Sequence, residues 1–150
     1  MLIDKKPIES RLRELAMTDE TKTLSHGRLL TRFAQLGPYL RQNKCTEDRY
    51  FFDCLSACVN AKKSPDSREF WGWWMEINPK EGGFEYVYTF GKFNTEGEWK
   101  EVNVPNKSSD EVKASLDAFY SKITEFVEGE LILEITAKPS LKQPKLGSAA

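Results

Sequence analysis

Two rhythms of hydrophobic and polar positions run along this chain. In "LSHGRLLTRFAQLG" (24–37), Leu29, Leu30, Phe33 and Leu36 recur at helical spacing, and Gly37-Pro38 ends the pattern. "YFFDCLSACVN" (50–60) is an apolar run of strand length, followed by the polar, proline-containing loop "AKKSPDS" (61–67). "REFWGWWMEI" (68–77) reads as a second strand, closed by the turn residues of "NPKEGG". "FEYVYTFGKF" (84–93) alternates Phe84, Tyr86, Tyr88 and Phe90 with Glu85, Val87 and Thr89, the period of a third strand. "NTEGE" turns the chain into "EWKEVNV" (98–104), a charged edge strand. From "SSDE" onward the rhythm is helical: Ser108 and Glu111 have capping-box spacing, and Val112, Leu116, Phe119, Ile123, Phe126 and Val127 form one apolar stripe. "ELILEITA" (130–137) has the length of a last strand or an extended tail segment.

These elements predict an α+β fold: a four-stranded antiparallel β-meander, packed on one face by a long C-terminal helix, with a short N-terminal helix available for part of the other face. The domain spans 24–136. Residues 1–23 form a polar, flexible extension, in which 1–16 precede a second candidate start at Met17. Residues 137–150, "AKPSLKQPKLGSAA", carry two prolines, three lysines and no acid, and are expected to be disordered.

Of the 18 aromatic residues, 13 lie between Tyr50 and Trp99. Alternation puts Trp71, Trp73 and Met75 on one face of the second strand, and Phe70, Gly72 and Trp74 on the other. Both faces are apolar. Either the rings are all core, or some stay accessible to a partner, where one truncated Trp or Tyr costs about 2–4 kcal/mol of binding. A bulge at Gly72 would instead bring Arg68, Phe70 and Trp73 to a common face.

Composition then narrows the function. Hydrophobic residues are 39% and charged residues 30%, as in a globular, soluble domain. The net charge of -1 gives no bulk attraction to phosphate or anionic lipid. No apolar run is long enough to cross a bilayer and no signal-peptide pattern opens the chain, so a cytoplasmic location without membrane contact is expected. The three cysteines (Cys45, Cys54, Cys58) fit free thiols in a reducing compartment.

Catalytic constellations fail in turn. His26 is the only histidine; with Cys54 it could form a thiol–imidazole pair, but a cap-region histidine is usually just solvated. Cys54 and Cys58, four apart on a strand, are separated by roughly 13 Å, too far for a disulfide or one zinc. Phosphate-cradling and nucleophile-elbow motifs are missing. Asp53, inside an apolar strand, reads as a satisfied structural carboxylate. The chain is therefore expected to be no enzyme and to need no metal or cofactor. An aromatic sheet can also stack single-stranded RNA, the alternative reading. Against it, residues 76–104 hold six glutamates and three lysines.

"LGPYLRQNKC", "RYFFDCLSACVN", "REFWGWWMEI", "YTFGKF" and "EGEWK" together resemble the Crl family of bacterial sigma-factor-binding proteins, from about Leu29 to Trp99 and more loosely through 109–127. The resemblance implies binding to the stationary-phase sigma factor, sigma-S, and promotion of its assembly with core RNA polymerase. Transcription of sigma-S-dependent genes would be activated by a monomer that does not itself bind DNA. The family's motifs fall on Tyr39, Arg68, Phe70, Trp73 and Trp99, which the resemblance implicates in sigma binding. It also implies that Arg68 meets an acidic segment in the second conserved domain of sigma; beside it, Phe70 and Trp73 are read as an exposed apolar anchor bordered by Tyr39 and Trp99. Residues 1–16 and the tail from Lys138 depart from the family pattern without touching those positions.

Overall fold

The computed structural model describes residues 25–147, so the expected N-terminal extension (1–23) lies outside the described residues. Helix α1 (His26–Ala34) starts at Ser25, whose Oγ accepts the Arg28 amide, and buries Leu29 and Phe33. Strands β1 (Tyr50–Cys58), β2 (Phe70–Lys80) and β3 (Gly83–Phe93) form the expected antiparallel meander, and β4 (Trp99–Glu101) pairs with the end of β3. Helix α2 (Asn106–Thr124) runs into a π-helical turn, Glu125–Glu130.

The structure corrects the sheet in three places. Strand β2 continues through Asn78–Lys80, so the hairpin loop is only Glu81-Gly82, with Gly82 at φ 86°. Strand β4 keeps three residues, because 102–104 leave the sheet toward Pro105. A fifth strand, β5 (Glu134–Ala137), pairs with β3 in parallel, making the sheet mixed rather than purely antiparallel. Strands β4 and β5 share one edge of β3, one at each end. Glycine at position 83 permits this approach, since a Cβ there would lie 2.0 Å from the Glu134 carbonyl oxygen.

The α2 start is also corrected. Pro105 occupies the cap position with φ −60°, already helix-compatible, and no side chain caps the helix. Ser108 is buried within the first turn, and its amide donates to the Pro105 carbonyl, so the Ser108–Glu111 capping box does not form.

Both helices pack on the same face of the sheet. The α2 stripe (Val112, Leu116, Phe119, Ile123) and the turn residues Phe126 and Val127 close over Tyr50 and Phe52 of β1, Trp73, Met75 and Ile77 of β2, and Phe84, Tyr86 and Tyr88 of β3. Phe33 of α1 meets Tyr50, Phe52, Phe84 and Phe126 edge-on in that same layer. The expectation that α1 covers part of the second face is therefore overturned. Among the described residues, no α-helix covers it; only its β1 corner is covered, where the 3₁₀ turn Gln42–Lys44 sets Lys44 4.7 Å over the buried Phe51 ring.

Composition reads 137–150 as disordered; the structure seats 138–147 against the open part of the β3 edge. The Lys138 amide donates to the Tyr86 carbonyl at 2.8 Å, and the Leu146 amide to the Tyr86 hydroxyl at 2.9 Å. The Tyr88 hydroxyl donates to the Pro144 carbonyl, and Leu141 and Leu146 pack on the core. What composition misses is that β5 delivers the chain beside unpaired edge groups that need partners. Burial pushes the Tyr86 and Tyr88 hydroxyls up to about 12.

Candidate functional site

The uncovered face is built from cross-strand rows. Cys58, Phe70, Phe93 and Trp99 are register partners across β1 to β4. Behind them come Leu55, Gly72, Gly91 and Glu101, and then Asp53, Trp74 and Thr89. The glycine row is a floor. A Cβ on Gly72 would meet the Cys54 carbonyl oxygen at 1.9 Å and Trp99 Cη2 at 3.0 Å. On Gly91 it would meet the Lys100 carbonyl oxygen at 2.1 Å and Trp74 Cζ3 at 3.0 Å. The two indoles lie over this floor, 5.1 Å apart between ring centroids, and Phe93 sits edge-on to Trp99 at 5.2 Å. All four large rings, Phe70, Trp74, Phe93 and Trp99, are half-buried. The same face carries Glu76, Glu85 and Glu101.

Under the indoles lies Asp53, 2% exposed. Its Oδ1 accepts Arg41 Nε at 2.5 Å and its Oδ2 accepts Trp99 Nε1 at 2.9 Å. Its amide donates to the Tyr39 carbonyl, and the Arg41 amide donates to the Phe51 carbonyl, so 39–41 runs along the free edge of β1. The reading of Asp53 as a satisfied buried carboxylate holds. Cys45 braces the same segment: its thiol donates to the Arg41 carbonyl and its sulfur accepts the Phe51 amide. Burial pushes that thiol's pKa up.

The expected site residues divide. Phe70 and Trp99 come together in the aromatic row. Arg68 lies two residues before Phe70, half-buried, and its guanidinium donates to the Lys63 and Ala61 carbonyls at 2.9 and 3.0 Å. Part of its fork thus fastens the 61–67 loop instead of facing outward. Tyr39 is half-buried and packs at a tilt against Trp73 and edge-on against Phe119. Trp73 is fully buried, stacked on Phe119 at 5.3 Å with its Nε1 donating to Ser115 Oγ at 3.0 Å. The expected exposed anchor of Phe70 and Trp73, and the common face of Arg68, Phe70 and Trp73, are corrected. The bulge falls on β1, between Leu55 and Ala57, while β2 keeps its alternation unbroken.

That bulge also parts the cysteines: Cys54 pairs with Trp73 on the helix side and Cys58 with Phe70 on the other. His26 Nδ1 is hydrogen-bonded to the Tyr50 hydroxyl at 2.8 Å, four strand residues from Cys54, so no thiol–imidazole pair forms. Sequence reasoning missed Trp74, Phe93 and Arg41. The signal for the first two was the glycine in each of two adjacent strands; for Arg41 there was none.

No described helix is long and apolar enough to cross a membrane. Among the described residues, no group of three or more His, Cys, Asp or Glu side chains could hold a metal ion. The fold and this face define an α+β domain with one sealed helical side and one open aromatic side, a surface of the kind macromolecular partners use. Residues 17–145 match the family described as "Sigma factor-binding transcriptional regulator Crl", and the chain belongs to that family. It is 44% identical over 133 residues, 89% of this chain and 100% of the relative, to the sigma factor-binding protein Crl of Photobacterium profundum. Identity to the Crl proteins of Vibrio vulnificus and Vibrio cholerae is 40% over 119 residues and 39% over 120, covering 92% and 93% of those relatives and 79% and 80% of this chain.

Proposed function

We propose that the protein binds a sigma factor of RNA polymerase, specifically the stationary-phase factor sigma-S, and promotes its assembly with core enzyme. It would thereby activate sigma-S-dependent transcription as a cytoplasmic monomer, without binding DNA itself. Family membership supports sigma binding. The observation that carries the surface assignment is the cross-strand row Phe70–Phe93–Trp99 on the face that no described α-helix covers.

Half-buried rings lose little conformational entropy on binding and offer large apolar area, the usual composition of a binding hot spot. The rim adds polarity: Arg68 lies two residues before Phe70 of the row, its guanidinium suited to an acidic segment of the second sigma domain. Glu76, Glu85 and Glu101 on the same face disfavour phosphate, and with it the stacking of RNA. Tyr39 contributes by buttressing Trp73, and Trp73 by shaping the sheet from within. Holding sigma in its polymerase-competent arrangement shifts its population by the difference in affinity between arrangements. About 1–3 kcal/mol gives roughly 5–150-fold in occupancy.

Titration of purified sigma-S tests this. Phe70→Ala, Trp99→Ala and Arg68→Ala should each weaken binding about tenfold or more. The Arg68 variant should leave the melting temperature within a few degrees of wild type. Wild-type affinity in all three variants would discard the surface.

A further inference from the structure

Asp53 is an uneconomical residue for the floor of an aromatic face. Burying a carboxylate costs several kcal/mol before its partners offset it, and apolar groups of similar size often serve stability as well. Its partners come from two separate places: the 39–41 segment, through the Arg41 side chain and the Tyr39 carbonyl that accepts the Asp53 amide, and β4, through Trp99. Strand β4 is three residues long and pairs only with β3, so its ladder alone holds Trp99 weakly. The indole nonetheless reaches over Gly72, where its Cη2 would meet an added Cβ at 3.0 Å, and brings Nε1 within 2.9 Å of Asp53 Oδ2.

We propose that Asp53, with Arg41 as its counter-charge, is a positioning residue for partner binding: it locks the Trp99 indole across the glycine floor and couples that ring to the 39–41 segment. The inference rests on the partner-binding reading of this face. An ionised carboxylate suits the task because each oxygen serves one donor, and both donors are fixed in direction. An asparagine can accept from only one of them; its NH₂ would then face the other donor. Freed from Oδ2, the indole can swing outward, and the partner would meet a mobile ring in place of a set one, with the ordering entropy charged to binding.

A double-mutant cycle of Asp53→Asn and Trp99→Phe decides it, with sigma-S affinity, melting temperature and the indole N–H resonances of the free protein as readouts. With Trp99 present, Asp53→Asn should shift and broaden the Trp99 indole resonance and weaken binding about tenfold. In the Trp99→Phe background the same change should weaken binding less than threefold, because there is no indole left to position. An unmoved indole resonance, or an equal loss in both backgrounds, would overturn the proposal. Should Asp53→Asn fail to fold, Arg41→Gln takes its place in the cycle with the same two deciding outcomes. If the wild type itself does not bind sigma-S, the functional reading fails on its own, and the indole resonance in the free protein still decides whether Asp53 holds Trp99.

Discussion

Trp73 couples the sheet to α2 in two ways, through its stack on Phe119 and its hydrogen bond to Ser115 Oγ. Removing the ring leaves a cavity in a close-packed layer, so Trp73→Ala should destabilise the domain by about 3–5 kcal/mol in urea unfolding. Trp73→Phe, which keeps most of the contact and loses the hydrogen bond, should cost about 1–3 kcal/mol. A binding defect in Trp73→Ala with unchanged unfolding would contradict its place in the core. On the opposite face, Gly72→Ala must push β1 away, because the new methyl would sit 1.9 Å from a backbone oxygen that cannot rotate aside. We expect a loss of about 3 kcal/mol or more, at the upper end of overpacking effects, by the same measurement. At this scale the sequence was only half legible. Alternation assigned Trp73 to one face and Phe70 to the other, but which face a helix would seal could not be read from β2, since both are apolar.

Among the elements, the segment after β5 stands furthest from its sequence. Its prolines and lysines carry no periodicity, yet its backbone finds fixed partners along β3. A stability prediction follows from the buried tyrosines. Tyr50, Tyr86 and Tyr88 are held protonated to about 12 by burial, against about 10 in an unfolded chain. Between those values the unfolded state has released protons that the folded state keeps, so raising the pH favours unfolding. Thermal melting should be level up to about pH 9.5 and fall progressively from pH 10 toward 12. A melting temperature that rises over that interval would refute the assignment. Helix α2 and its stripe were legible because six apolar positions share one face over a long span. The capping box was not, because Pro105, three residues before Ser108, starts the helix earlier than Ser108 could.

At the scale of the described molecule, α1 and α2 lie on one side of the sheet, leaving the other side to rings, glycines and an ion pair of which only the carboxylate is buried. The sequence by itself determined the order of helices and strands, the long amphipathic stripe, and the concentration of aromatics in the meander, because these follow from side-chain period along a local stretch. Motif resemblance marked Tyr39, Arg68, Phe70, Trp73 and Trp99, yet it could not say that Trp73 is sealed or that Arg68 is fastened to its own loop. Only the tertiary structure decided the sidedness of α1, the parallel strand on the edge of β3, the bulge on β1, and the meeting of Arg41, Asp53 and Trp99. Those outcomes depend on contacts between residues far apart in the chain, and local periodicity carries no record of which distant surface a face will meet.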